Sequence, residues 1–270
     1  MDTSKDLDEH TMADAWAYIQ GQADAGVPLR PNAYRLAFAD PEFLLRRETR
    51  GVRLQLELLK PDLDQIEMGI EHTIVVFGSA RFSTLEDAQR KVEEAGASGD
   101  TNAMVLARRD MRNAHFYEQA RHFGRIVATH STALPKNERM YICTGGGPGI
   151  MEAANRGASE AGAPTLGLNI ALPHEQHANP YVTPELSFKF HYFAVRKMHF
   201  MMRAKAMVAF PGGFGTLDEL FEVITLVQTK KAHPVPIILF GTDYWKRLLN
   251  FEVLVEEGAI SPEDLGLLDR

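Results

Sequence analysis

The chain has 270 residues, 45% of them hydrophobic and 24% charged, with a net charge of −7 and a pI of about 5.8. That composition belongs to a globular protein with enough chain for a substantial core, and its acidic balance excludes a global field that would draw it to nucleic acid or an anionic membrane. No apolar run approaches the roughly 18–20 residues needed to span a bilayer. The acidic start MDTSKDLDEH is unlike a secretory signal, and the single cysteine, Cys143, excludes an internal disulfide and any multi-cysteine metal site, so a cytoplasmic location is expected.

Residues 1–70 read as a helical N-terminal extension. Helices are expected over Ala13–Gln22 and Glu42–Lys60, with Pro28 and Pro31 between them and Pro61 as the stop of the second. Arg46, Arg47, Arg50 and Arg53 read as a solvated or intersubunit helix face rather than an anion patch. No chemistry is visible here, and packing or assembly is the expected job.

A second region, 71–257, alternates strands and helices, which predicts an α/β fold: a Rossmann-like doubly wound parallel sheet. Thr73–Phe77 is its first strand and ends in Gly78-Ser79-Ala80-Arg81, at the edge where such sheets bind ligands. Ser79 and Arg81 are candidates for a phosphate or a base; the alternative is a turn serine beside a surface arginine. Residues 82–104, with Glu86–Glu94 and the loop-like Gly96–Asp100, are an expected excursion before a long helix over about Ala107–His130, which leads to the strand Met140–Thr144. Cys143 in that strand reads as a small core residue.

Gly145-Gly146-Gly147-Pro148-Gly149 then opens a helix through Ala158. It is not the dinucleotide fingerprint, because Pro148 interrupts the spacing and no acidic residue ends the next strand. Pro164–Ile170 is a third strand, followed by the polar loop Leu172–His177. His174 and His177 lack a third metal ligand nearby, so no metal is expected, and Glu175 reads as a loop carboxylate at the ligand edge. A short strand, Leu186–Tyr192, follows. The next helix, Ala194–Lys205, should pack Val195, Met198, Met201 and Met202 inward and carry Arg196, His199 and Arg203 on one arc.

Met207–Phe210 is the central buried strand and runs into Pro211-Gly212-Gly213-Phe214-Gly215-Thr216. Three glycines at a strand-to-helix junction let backbone N–H groups approach an anion, and the helix start adds free donors and a positive dipole end. Thr216 can bind the phosphate or cap the helix. On the helix Asp218–Gln228, Leu217, Leu220, Phe221 and Ile224 form the expected core face, which turns Glu219 roughly 160° away from it. Glu219 is then either a carboxylate facing a substrate or the far end of a Thr216–Glu219 capping box. Val235–Phe240 and Asp243–Glu257 complete the region, and 258–270 form a tail.

FGSAR at 77–81, TGGGPGIMEAANRGA at 144–158, LPHE at 172–175 and VRKMHFMMRAKAMVAFPGGFGTLDELFEVIT at 195–225 together resemble the LONELY GUY family over about residues 72–257. The family's members are phosphoribohydrolases of cytokinin riboside 5′-monophosphates and related nucleotides. The resemblance implies a catalytic pair, Arg196 and Glu219, 23 residues apart as in the family. It implies a phosphate site at Pro211, Gly212, Gly213, Gly215 and Thr216, with Ser79, Arg81, Gly146, Gly147 and Met151 bordering the nucleotide. Glu175, Lys197, Arg203, Glu222 and Thr225 join the expected substrate-binding set.

The expected reaction is hydrolysis of the N-glycosidic bond of AMP, of cytokinin riboside monophosphates, or of both. The expected assembly is a homodimer or higher oligomer, with no cofactor and no nucleic-acid or membrane partner. Asp218 stands where the family often has Glu, and Phe193-Ala194-Val195 replace its usual His before the Arg-Lys pair, which places the chain with a longer bacterial branch. Members are often labelled lysine decarboxylases, but no lysine is set up as a Schiff base to pyridoxal phosphate. The reading from another class is a nucleotide-binding regulator or carrier that uses the same cradle without turnover.

Overall fold

A computed structural model describes residues 36–171 and 177–267, with Ala17, Gly21, Asp24 and Ala25. Contacts divide the chain into two units, Met1–Leu56 and Glu57–Arg270. The helix expected over Ala13–Gln22 lies almost wholly outside the described residues. The helix expected over Glu42–Lys60 is two helices, α1 (Pro41–Leu44) and α2 (Arg50–Glu67). Asp40 caps α1 by accepting from Glu42 N and Phe43 N. The break is held by Thr49, whose buried hydroxyl lies 2.9–3.1 Å from the carbonyls of Phe43, Leu44 and Arg46.

Pro61 does not stop α2 but sits inside it. A proline there has no N–H for the carbonyl four residues back, which normally breaks a helix. That carbonyl belongs to Glu57, and the ring Nε2 of His199 lies 3.3 Å from it. The tertiary partner supplies what the helix lacks.

Among the described residues one parallel sheet of six strands is ordered β4-β3-β2-β1-β5-β6: β1 (His72–Phe77), β2 (Met140–Thr144), β3 (Leu166–Ile170), β4 (Ser187–Phe190), β5 (Ala204–Ala209) and β6 (Ile237–Leu239). The order runs outward from β1 to β4 and then reverses to β5, so a crevice opens between the carboxyl ends of β1 and β5. Alternate residues of each strand face opposite helical layers. Ile74, Val76, Ile142 and Val208 pack against Tyr117, Val127 and Ile150 on one face. Val75, Phe77 and Met207 meet Phe200 and Val223 on the other, where the rings of Phe77 and Phe200 stand edge to face at 4.9 Å. The doubly wound expectation holds.

The excursion after β1 is a helical hairpin. α3 (Leu85–Ser98) ends on Gly99 at φ +68°, and Asp100 immediately caps α4 (Thr101–Thr132) by accepting from Asn102 N and Ala103 N. The stretch that reads as a loop is thus a helix end followed at once by a helix start. After β6, the single helix expected over Asp243–Glu257 is α8 (Thr242–Leu248) and α9 (Glu252–Glu256), parted at Asn250, which accepts from Glu252 N. None of the described helices is long and apolar enough to cross a membrane.

α4 crosses α5 (Ile150–Glu160) with a glycine on each helix. A Cβ on Gly124 would stand 2.2 Å from the Ala154 carbonyl oxygen, and one on Gly157 would stand 1.8 Å from that of Arg121. Gly157→Ala should therefore cost about 1–3 kcal/mol in urea unfolding, although alanine is the better helix former. Gly96→Ala, where a Cβ meets only Met104 Cε at 3.7 Å, should be neutral or stabilising.

Candidate active site

Three strand-to-helix turns meet at the crevice, and the backbone of Ser79 joins them. Its N–H donates to Pro211 O at 3.0 Å, and its carbonyl accepts from Ile150 N at 3.0 Å. Close approach is possible because the neighbours are glycines. A Cβ on Gly149, which has φ +71°, would lie 2.3 Å from Ser79 O. On Gly212 it would lie 3.1 Å from Ser79 N and 2.1 Å from Thr216 Oγ1. Gly213 and Gly215, by contrast, face open space. They flank the start of α7 (Phe214–Gln228), whose N-cap, Gly213, makes no side-chain cap bond. The N–H groups of Phe214, Gly215 and Thr216 have no intrahelical acceptor, which suits an anion.

α7 begins two residues before Thr216, so Thr216 lies inside the first turn and no Thr216–Glu219 capping box forms. The expected core face is also corrected. Thr216, Glu219, Leu220, Val223 and Val227 are the buried residues, while Phe221 is 38% exposed and Phe214 91% exposed. Glu219 therefore points inward with the core stripe and is only 7% exposed. Among the described residues its one ion pair is with Arg196 on α6 (Phe193–Met202), Oε1 to Nη1, at 3.8 Å. That is longer than a hydrogen bond.

Arg196 is anchored at its other edge. Nε donates to Leu168 O at 2.7 Å, and the guanidinium carbon sits 5.0 Å from the centre of the Phe200 ring. A Cβ on Gly145 would stand 2.6 Å from Arg196 Nη2 and 2.9 Å from Met151 Sδ, so the glycine turn after β2 leaves room for both. Burial pushes the Glu219 carboxyl up to about 7, against the pull of Arg196 and Lys197 and with smaller like-charge contributions from Glu222 and Asp218. The Arg196 guanidinium is pressed below its ordinary value by the same burial, with Glu219 opposing. A buried carboxyl poised near neutrality, with no hydrogen bond among the described residues and an arginine just out of bonding reach, has the character of a catalytic group. Cys143 lies beneath in β2, and burial raises its thiol to about 12, so it is a core residue and no nucleophile.

Other expected residues are placed elsewhere. Lys197 Nζ is held at 2.9 Å by both Asp218 and Glu222, so Glu222 is a partner of Lys197. Arg203 precedes β5, at the sheet edge opposite the crevice, and is engaged by Asp62 Oδ1 at 2.6 Å and Ile70 O at 2.9 Å. Thr225 is exposed, about 16 Å along α7 from its start, and its hydroxyl donates to Phe221 O. These two do not join the crevice. The arc expected for Arg196, His199 and Arg203 opens out, and the inward face of α6 is Val195, His199 and Phe200, with Met198 and Met202 exposed. Arg81 is exposed at the rim, its N–H turned back on Ser79 Oγ at 3.1 Å. Glu175 and His174 lie outside the described residues, among which no group of three His, Cys, Asp or Glu is placed to hold a metal.

Some contributors carry no sequence signal. Tyr244 on α8 donates to Gly212 O at 2.5 Å and pins the central glycine turn. The turn after β2 is pinned by two buried amides. Asn155 accepts from Thr144 Oγ1 at 2.7 Å, and Asn179 donates to Gly147 O at 3.1 Å and to Asn155 Oδ1 at 3.0 Å. The most voluminous of the described cavities, about 830 Å³, lies at the opposite sheet edge around His72, Lys205 and Val235 and touches this site only through Lys197 and Glu222.

The family described as "Possible lysine decarboxylase" matches residues 151–269. Over 122 residues, 44% of the chain and 55% of the relative, it is 34% identical to the cytokinin riboside 5′-monophosphate phosphoribohydrolase LOG3 of Arabidopsis thaliana. Over 69 residues, 25% of the chain and 32% of the relative, it is 45% identical to LOG1 of the same plant. The resemblance to the LONELY GUY family stands. The chain spans about half the length of the LONELY GUY relatives it matches over the longer stretch. Among solved structures, the molybdenum cofactor binding protein of Rippkaea orientalis aligns over 72% of this chain and 90% of its own, at 16% identity and a TM-score of 0.39. That likeness concerns the fold alone.

The buried carboxyl gives the stability a pH signature. A Glu219 pKa raised from the ordinary 4.5 to about 7 means that the folded chain binds the proton more tightly than the unfolded chain. The contribution of Glu219 to stability then falls as pH rises between those values and is flat on either side. Glu219→Gln, which keeps the neutral shape, should gain stability relative to the parent as pH rises from 4.5 to 7 and hold that gain above 7. Urea unfolding of both proteins between pH 4.5 and 8 measures it; a pH-independent difference would contradict a raised pKa.

Proposed function

We propose that the chain hydrolyses the N-glycosidic bond of nucleoside 5′-monophosphates to free base and ribose 5-phosphate. The observation that carries this reading is the Arg196–Glu219 pair, buried at the mouth of an open backbone cradle. The open N–H groups at Gly213–Thr216 would hold the 5′-phosphate, which sets the ribose over Glu219 and directs the base along the crevice toward β2. As the C1′–N bond breaks, its electron pair leaves with the base and positive charge grows on the sugar. The Glu219 carboxylate stabilises that charge, orients water for attack at C1′ and takes up its proton, to which a pKa near 7 is matched. Arginine is a poor proton donor, so Arg196 holds substrate oxygens through its Nη groups and keeps Glu219 in place.

The relatives named as phosphoribohydrolases support this reading at moderate identity over part of the chain. A decarboxylase reading would need a lysine that reaches a neutral, nucleophilic state. At Lys197 burial works toward that, but the hydrogen bonds it donates to Asp218 and Glu222 prevail and hold it above its ordinary value. The carrier reading predicts binding without turnover.

Incubation with AMP should release adenine, and kcat/KM for AMP should exceed that for adenosine by at least about 10²-fold, because the phosphate contacts are lost with the nucleoside. Glu219→Gln should bind AMP nearly as the parent does while its kcat falls by about 10²-fold or more. AMP binding with no adenine release by the parent would establish a carrier instead.

A further inference from the structure

Three buried asparagines surround the glycine turn after β2, and they are not equivalent. Asn155 and Asn179 are fully used: Asn155 Nδ2 donates to Leu166 O, its Oδ1 accepts twice, and Asn179 Oδ1 accepts from Tyr181 N. Asn169, near the carboxyl end of β3, is 8% exposed, and its only hydrogen bond among the described residues is a 3.5 Å contact from Nδ2 to Gly167 O. Its amide oxygen accepts from none of them. That oxygen is not sealed in the interior, so it is open to solvent or to a bound molecule. A side chain that merely filled the space over Gly146 could be apolar.

The amide lies in the crevice beside the catalytic pair. A Cβ on Gly146 would meet Asn169 Nδ2 and Oδ1 at 2.5 Å, just as one on Gly145 would meet Arg196 Nη2 at 2.6 Å. Two successive glycines thus lie under the carboxamide and the guanidinium, and the carbonyl that anchors Arg196 belongs to Leu168, the residue before Asn169. β3 stands three strand steps from β5, about 14 Å at the usual interstrand spacing. A nucleotide with its phosphate at the start of α7 would bring its base, not its sugar, toward β3.

We propose that Asn169 reads the base and selects purines that carry a 6-amino group. This rests on the nucleotide reading of the site. A carboxamide offers one acceptor and one donor side by side, which match the N6–H donor and N7 acceptor of adenine. A 6-oxo purine presents two acceptors on that edge and leaves the amide oxygen facing the O6 oxygen. Whichever way the amide is turned, one of its contacts to hypoxanthine is unfavourable.

The test measures AMP, IMP and ribose 5-phosphate binding by calorimetry, and base release from AMP and IMP, for the parent, Asn169→Leu and Asn169→Asp. The parent should prefer AMP over IMP by about ten- to a hundredfold in both affinity and kcat/KM. Asn169→Leu should lose most of that preference, chiefly by weakening AMP, while ribose 5-phosphate binds as before. Asn169→Asp keeps the shape and the acceptor but loses the donor; it should also weaken AMP, and it carries the test if the leucine variant does not fold. A preference that survives both substitutions, or ribose 5-phosphate affinity that falls as much as AMP affinity, would overturn the assignment. If the parent binds AMP without releasing adenine, hydrolysis is wrong and the binding series still decides the role of Asn169.

Discussion

Two hydrogen bonds from one residue's backbone hold the crevice together. The Ser79 N–H ties the turn after β1 to Pro211, and its carbonyl ties the same turn to the start of α5. Both bonds need backbone to come within contact of backbone, so side chains are excluded at Gly149 and Gly212. The sheet order puts the reversal at this place, between β1 and β5. The glycines of the two motifs therefore have different jobs. Gly149 and Gly212 are packed against Ser79, Gly145 and Gly146 make room for Arg196 and Asn169, and Gly213 and Gly215 face open space.

The second constraint is electrostatic. An inward-facing carboxylate loses its hydration, and a close ion pair would normally restore the charged form. Here the partner stands at 3.8 Å, held back because Arg196 is committed to Leu168 O and stacked on Phe200. Desolvation wins and the carboxyl titrates near neutrality. Lys197 is kept at a distance in the same way, between Asp218 and Glu222. The site thus holds a carboxyl that neither neighbouring cation fully neutralises, next to donors that none of the described residues occupies.

Much of this was legible in the residues. Apolar runs ending in glycine clusters located β1, β2 and β5 with their turns, and strand–helix alternation gave the doubly wound sheet. The direction of Glu219 was not legible. α7 carries Leu217, Leu220, Phe221, Val223, Ile224 and Val227, so more than one stripe fits helical period, and the stripe through Leu217, Phe221 and Ile224 is turned from the buried one. Pro61 misled because the group that rescues its helix, His199, lies far away in sequence. Tyr244, Asn155 and Asn179 carry no sequence signal because a buried hydrogen bond that pins a turn leaves no periodicity or spacing to read.

The account stands on Glu219 acting as a carboxylate that is half-titrated near neutrality. The most direct measurement is kcat at saturating AMP between pH 5 and 9, which reports ionisations in the bound complex. The account predicts a rise through a single limb near pH 7 to a plateau, and loss of that limb in the residual activity of Glu219→Gln. A flat profile, or one that falls through pH 7, would contradict it.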